Sequence, residues 1–163
     1  MRGILLLTLF IGSLSFAEIQ KFETACKNQD CFRNGWITTA PHYVLDTNCK
    51  NQDCKKLGWN SVANDHSTYE VTCRQGGCFQ DGWASTQNLK GNVYYDDVLC
   101  RNSNCLTNGW TVRTGYDVLG GDVVCNNNDC SKFGGESFWR GRPSRTVCYE
   151  ADCYHKGWTL LVY

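Results

Sequence analysis

Hydrophobic and polar positions alternate in six short stretches of the chain, and each stretch ends at a cysteine. A β-branched residue stands two positions before each of these cysteines, and in five of the six stretches the residue preceding it is acidic. Because neighbouring strand residues point to opposite faces of a sheet, this pattern predicts six short strands with one packed and one solvated face. The β-branched residues are Thr24, Thr47, Val71, Val98, Val123 and Thr146, and the acidic ones are Glu23, Asp46, Glu70, Asp97 and Asp122.

The cysteine that ends each strand opens a motif, C-x4-C-x3-G, that recurs six times at intervals of 23 to 27 residues. Asp, Asn or Gly precedes the second cysteine, as is typical of the start of a turn or a helical turn. The glycine suits a positive φ angle that ends this turn. A second strand then begins, at a tryptophan in five of the six copies. The glycines are Gly35, Gly58, Gly82, Gly109, Gly134 and Gly157.

These columns predict an all-β fold of six tandem β-hairpin repeats of about 24 residues, each with a disulfide-bonded C-x4-C turn. Residues 19–26 form a cysteine-side strand without its Gly-Trp partner, and residues 158–163 form a Gly-Trp strand without its cysteine-side partner. Pairing the two would close the repeats into a pseudo-six-fold ring or a propeller-like assembly without exposed edges. An open β-solenoid and a trefoil-like packing of six hairpins are the alternatives.

The first residues have the pattern of a secretory signal rather than of a folded element. Arg2 precedes an apolar run over 4–11, and small residues at positions 15 and 17 suit a signal peptidase. We therefore expect a signal peptide over 1–17 and one disulfide-rich repeat domain over 18–163. The protein is expected to be secreted, into a periplasm or onto an extracellular surface. Because its net charge is zero, we expect no nucleic-acid binding. We also expect no membrane insertion, because no apolar run is long enough to span a bilayer.

The cysteines are expected to form disulfide bonds, because an even and dense cysteine count behind an export signal is typical of an oxidising compartment. The identical spacing favours one bond within each unit, and a ladder between neighbouring units is the alternative. The predicted pairs are Cys26 with Cys31, Cys49 with Cys54, Cys73 with Cys78, Cys100 with Cys105, Cys125 with Cys130, and Cys148 with Cys153.

The cysteine and histidine motifs give little indication of metal binding, redox chemistry or catalysis. The C-x4-C spacing is compatible with zinc, but oxidised sulfur is expected, and no C-x2-C redox or C-x2-C-H haem motif occurs. His42, His66 and His155 neither recur nor accompany a nucleophile motif. We therefore expect a non-catalytic protein without a cofactor or a metal. One alternative is that the acidic column converges in a closed ring and binds calcium, instead of forming a solvated outer face.

Repeated aromatics and tyrosine-containing loops are the best candidates for a binding site. Exposed aromatics anchor partners, although the tryptophans have a second interpretation as core residues beneath the cystines. The candidates are Trp36, Trp59, Trp83, Trp110, Trp139 and Trp158, with Tyr43, Tyr94, Tyr95 and Tyr116 in variable segments. We expect a module that binds a glycan or a protein on a cell surface. A structural subunit of an envelope layer or extracellular filament is the alternative, since a near-zero net charge permits self-association.

Overall fold

The protein folds as one closed antiparallel β-barrel of twelve strands. The computed structural model describes residues 19–115, 118–139 and 141–163, so the predicted signal peptide and Tyr116 lie outside the described residues. Each strand pairs with its neighbours in the chain. The strands are β1 (Gln20–Cys26), β2 (Trp36–Ala40), β3 (Tyr43–Cys49), β4 (Trp59–Ala63), β5 (Thr68–Cys73), β6 (Trp83–Leu89), β7 (Asn92–Cys100), β8 (Trp110–Thr114), β9 (Val118–Cys125), β10 (Gly135–Trp139), β11 (Arg142–Cys148) and β12 (Trp158–Val162).

Each pair of strands that is joined through a cystine forms one unit. The units are unit 1 (20–40), unit 2 (43–63), unit 3 (68–89), unit 4 (92–114), unit 5 (118–139) and unit 6 (142–162). All cystine turns lie at one end of the barrel, called the cystine end, and all hairpin loops between units lie at the other, called the loop end. Each turn contains one helical turn: α1 (Cys31–Asn34), α2 (Cys54–Leu57), α3 (Cys78–Asp81), α4 (Cys105–Asn108), α5 (Cys130–Phe133) and α6 (Cys153–Lys156).

The first and last strands close the barrel. β1 pairs with β12 in antiparallel register, from Gln20 opposite Val162 to Thr24 opposite Trp158. This confirms the closed arrangement of six hairpin repeats, which takes the form of one continuous sheet rather than separate propeller blades. The open β-solenoid and the trefoil-like alternative are therefore wrong. Closure leaves no strand edge exposed among the twelve strands.

The predicted disulfide bonds are confirmed, each within its own unit. The Cα atoms of each pair are 4.4 to 4.7 Å apart, within the range that a disulfide spans. The second cysteine of each pair is buried. A ladder of bonds between units is therefore wrong, and no disulfide bond joins one unit to another.

Side-chain caps start the helical turns as the sequence predicts. Asp30 shows the arrangement: its carboxylate accepts hydrogen bonds from the backbone N–H groups of Phe32 and Arg33 at 3.1 and 3.0 Å. Asp53, Asn104, Asp129 and Asp152 cap their turns in the same way. Unit 3 differs, because Gly77 has no side chain to offer and adopts a φ of +101° instead.

The glycine column lets neighbouring units approach each other closely. Gly109 has a φ of +76°, and a Cβ atom added there would lie 2.0 Å from the carbonyl oxygen of Val123 in the next unit. Gly157 makes the same approach to Thr24 across the closure of the barrel. The column therefore sets both the end of each helical turn and the spacing between units.

Candidate functional site

The tryptophan column lies inside the barrel, at the cystine end. Trp36 is only 8% exposed and is flanked by Trp59 and Trp158, with ring centroids 5.4 and 5.7 Å away. Trp59, Trp83 and Trp110 continue the row at 5.8 and 5.9 Å. A barrel of eight strands is just filled by side chains, so twelve strands need large residues to fill the wider interior. The geometry favours the interpretation of these rings as core residues.

Unit 5 interrupts this row. Gly135 occupies the tryptophan position, because it lies opposite Thr146 just as Trp110 lies opposite Val123. The backbone of Trp139, which the sequence offers as a replacement, pairs with Gly121, four residues further along β10. At about 3.3 Å per residue, this places its backbone roughly 13 Å from the tryptophan row.

A second set of interior residues covers the tryptophans and was missed from the sequence. Each follows the second cysteine of its unit, and their types are so mixed that the column is not visible as a pattern. Phe32 contacts Phe79 at 5.0 Å and Tyr154 at 4.5 Å between ring centroids, although units 1 and 3 are not neighbours. The ammonium group of Lys55 lies 4.9 Å from the Tyr154 ring centroid. These side chains, called the plug, close the cystine end.

One polar atom of the plug is left unsatisfied. The hydroxyl of Tyr154 is buried and forms no hydrogen bond of good geometry within the part of the chain that the structure describes, although the Ser131 side chain is close enough to oppose the rise in its pKa. Burial raises the pKa of Tyr154 to about 12, because the phenolate is poorly solvated there. The neighbouring Ser131 hydroxyl donates to the carboxylate of Asp129 at 2.5 Å, which lowers the pKa of Asp129.

The predicted tyrosines are separated by the wall of the barrel. Tyr43 is inside, at the loop end, where its ring meets Phe22 edge-on at 6.3 Å and its hydroxyl lies 3.5 Å from that of Tyr69. Burial raises the pKa of Tyr43. Tyr94 and Tyr95 are adjacent on β7, so they point to opposite faces, and they are 43% and 63% exposed.

A groove of about 310 Å³ lies beside Tyr95 at the loop end of unit 4. It crosses β6, β7 and β8, and its lining residues include Thr86, Asp97, Arg113 and Thr114. An aromatic face, a carboxylate, a guanidinium and hydroxyl groups therefore meet in one open groove. This set can stack on a flat or ring-shaped ligand and can both donate and accept hydrogen bonds.

The acidic column lies on the outer face and does not converge on a metal. Four of its carboxylates bind a cation from the preceding unit, as in the pair of Lys50 and Glu70 at 2.9 Å. The set of pairs, called the girdle, is Lys27 with Asp46, Lys50 with Glu70, Arg74 with Asp97, and Arg101 with Asp122. Successive carboxylates are two strands apart, roughly 9 to 10 Å, which is too far to share one ion. The calcium alternative is therefore wrong for this column.

The histidines lie apart from one another. His42 and His66 occupy loop-end turns with φ angles of +64° and +65°, and His155 is on the cystine end with its Nδ1 2.8 Å from Asp152. Over residues 19–115, 118–139 and 141–163, no three His, Cys, Asp or Glu side chains are grouped to hold a metal ion. In the same ranges no helix has the length and apolar character needed to cross a membrane.

The plug, the girdle and the Tyr95 groove together define what this barrel presents to other molecules. The cystine end is covered by the aromatic rings of the plug, whereas the loop end carries an open groove beside the exposed Tyr95. Comparison of the chain with protein-family models, with curated proteins and with solved structures finds no match.

Proposed function

We propose that this protein is an exported, non-catalytic module that binds a glycan or a protein on a cell surface through the loop end of unit 4. The observation that carries the proposal is the groove beside Tyr95. Tyr95 is 63% exposed. Elsewhere on this outer face the charged side chains form ion pairs, and backbone hydrogen bonds join the strands. Rigid aromatics beside adaptable polar groups are typical of recognition surfaces.

Contrast between the two ends of the barrel supports this assignment. At the cystine end the same capped and disulfide-bonded turn is repeated, with variation only in unit 3. At the loop end the hairpins differ in sequence from unit to unit. A uniform scaffold that presents variable loops is the usual design of binding proteins.

Export is supported by the cystines and by the sequence of residues 1–17. Six disulfide bonds are typical of proteins that mature in an oxidising extracellular or periplasmic environment. The signal-like segment agrees with that environment. The glycan or protein is therefore expected outside the cytoplasm.

The test is a binding screen of the oxidised protein and matched variants against a glycan array and against purified cell-envelope proteins. Tyr95→Ala and Arg113→Gln remove the aromatic face and the guanidinium of the groove. Phe133→Ala is the control, because Phe133 is also an exposed aromatic but lies at the cystine end, away from the groove. We expect each groove variant to weaken binding at least tenfold and the control to bind like the unmodified protein. Binding that is equal in all three variants, or absent from both screens, rejects the proposal.

A structural subunit is the second candidate, favoured by an apolar area on the outer face of units 5 and 6. Val124 and Phe138 are 51% and 56% exposed, and Pro143 and Tyr163 lie beside them. Together with a net charge of zero, this area would allow copies of the chain to associate. Sedimentation at increasing concentration tests it. Assembly that Phe138→Asp abolishes supports the structural role, and a monomer at every concentration rejects it.

A further inference from the structure

The interior of units 5 and 6 contains a gap at the place of the sixth tryptophan. Trp110 and Trp158 flank this gap, and Gly135 forms its wall. A Cβ atom added to Gly135 would lie 2.6 Å from the carbonyl oxygen of Val124. The backbone is therefore packed too closely for a side chain at this position, and the gap belongs to the architecture of the unit.

Two cavities extend from this gap along the inside of the barrel. The first, about 350 Å³, lies under the plug, and the second, about 450 Å³, reaches toward the loop end. They share the lining residues Trp110, Val123, Ser137 and Leu160, so they lie end to end. Both volumes are in the range of sites that hold small molecules.

On the side of units 1 and 2, below the tryptophan row, small hydroxyl side chains fill the inner face of the strands. Thr24, Thr47 and Ser61 are at most 3% exposed, and their hydroxyls bond across neighbouring strands, as in the 2.8 Å pair of Thr47 and Ser61. An empty apolar cavity lowers stability in proportion to its volume. A molecule bound in the space beside Gly135 would offset this loss of stability.

The chemistry of the lining changes from one end of the combined space to the other. Under the plug the lining is aromatic, and the indole rings of Trp110 and Trp158 stand on either side of the gap. Toward the loop end the walls are aliphatic, at Val112 and Val162, and Arg142 stands at the mouth. Arg142 is on the same face of β11 as the buried Ser144, two residues away.

We propose that this space, called the lumenal site, binds a small amphipathic anion with a planar aromatic body. The aromatic body lies between Trp110 and Trp158, and the anionic group reaches Arg142 at the mouth. The level of Arg142 is roughly 13 Å from the tryptophan row along the strand, a distance that the ligand and the long Arg142 side chain would span together. This site is separate from the outer groove beside Tyr95, so either assignment can fail without the other.

The test uses two fluorescent probes that differ in charge. 1-Anilinonaphthalene-8-sulfonate carries a planar aromatic body and a sulfonate, and N-phenyl-1-naphthylamine has the same body without the charge. Both are titrated against the oxidised protein, and energy transfer from tryptophan to the probe reports proximity to the indole rings. We expect one saturable site for each probe, with the anionic probe bound more tightly.

Matched variants decide where the probes bind. Val123→Phe fills the lumenal site, whereas Val124→Phe makes the same change at the next residue, on the outer face. We expect Val123→Phe to weaken both probes at least tenfold and Val124→Phe to leave the inner site unchanged. Arg142→Gln is expected to weaken the anionic probe at least fivefold and to leave the neutral probe unchanged. If Val123→Phe fails to fold, Leu160→Phe fills the same space from β12.

Three results would overturn the proposal. The first is the absence of a saturable site for either probe. The second is equal binding by the Val123→Phe and Val124→Phe variants, which would place the probes on the outer surface. The third is an equal response of both probes to Arg142→Gln, which would show that Arg142 does not bind the anionic group of the ligand. Folding of every variant is checked by circular dichroism and by the absence of free thiols.

Discussion

The guanidinium of Arg101 in unit 4 donates a hydrogen bond to the carboxylate of Asp122 in unit 5. The cation follows the first cysteine of its unit, and the carboxylate stands three residues before the first cysteine of the next. The same relationship holds for three further pairs, which form the girdle. Since the disulfides lie within units, these pairs are among the few side-chain bonds that join one unit to the next.

The girdle ends at the boundary between units 5 and 6, where neither the basic nor the acidic residue of the pair is present. At the boundary between units 5 and 6, Asn126 stands where the cation would be and Arg145 where the carboxylate would be. The two changes together avoid placing two cations side by side. The boundary between units 6 and 1 changes only the cation, to Tyr149, whose hydroxyl lies 2.7 Å from that of Thr159 instead.

Installing the missing girdle pair is expected to stabilise the barrel slightly. The double variant Asn126→Lys with Arg145→Asp should raise the free energy of unfolding by about 0.2–1 kcal/mol, the usual contribution of a partly exposed ion pair. The single variant Asn126→Lys is the control, and it should lower stability because Lys then faces Arg145. Urea denaturation at low and high salt measures both effects. A double variant that is no more stable than the single one would show that the girdle contributes nothing.

The glycine column is expected to be far more sensitive to substitution than other glycines. Gly109→Ala should lower the free energy of unfolding by at least about 3 kcal/mol, because the methyl group would overlap the Val123 carbonyl and the φ angle is unfavourable for alanine. Gly115→Ala is the matched control, because an added Cβ there meets no atom within 4 Å. Denaturation curves measure both variants. If the two curves coincide, the close approach of Gly109 to Val123 does not limit the side chain at this position.

Much of the scaffold could be predicted because the same sequence pattern recurs in six repeats. The identical C-x4-C spacing favours the cystine pairs that the structure confirms, and the capping residues and glycines predict the turns. The two terminal strands, each without a hairpin partner in the sequence, also predict closure, and the pairing of β1 with β12 confirms it. Each of these features is local to one repeat or follows from the order of the strands. They can therefore be predicted without knowing how far the sheet curves.

The interior could not be predicted, because it depends on how far the sheet curves. A strand pattern shows that Trp36 and Ile37 face opposite sides, but not which side becomes the lumen. The plug is also hidden, since Phe32, Lys55 and Tyr154 share a position without sharing a chemical type. The acidic residues of the girdle were visible as a column, but their basic partners become clear only when the register between units is known.

Loss of one cystine is expected to destabilise the barrel without unfolding it. Replacing both Cys100 and Cys105 by alanine removes the constraint on a short loop, which costs about 2 kcal/mol in the chain-entropy model. The buried position of Cys105 adds a packing loss. The native protein should show no reactive thiol, and full reduction should unfold it, as followed by circular dichroism. A reduced chain that keeps its barrel would show that the cystines are not required for stability.

The unsatisfied hydroxyl of Tyr154 is expected to make the barrel sensitive to alkaline pH. Its pKa of about 12 lies above the ordinary value for tyrosine, so the unfolded chain loses this proton first as the pH rises. The contribution to stability is therefore complete below pH 10 and is lost as the pH rises from 10 to 12. Tyr154→Phe removes this titration and also removes a buried donor without a partner. We expect the variant to be at least as stable as the unmodified protein at pH 7 and to lose less stability between pH 10 and 12.

Urea denaturation at pH 7, 10, 11 and 12 measures this difference, and Tyr95→Phe is the control because its exposed ring loses the same oxygen. Tyr43, whose pKa is also raised by burial, is unchanged in both variants, so its contribution cancels in the comparison. If Tyr154→Phe lowered stability at pH 7, the hydroxyl would have to make a bond that stabilises the plug. If the pH dependence of the two variants were the same, burial of Tyr154 would not account for the loss of stability in alkali.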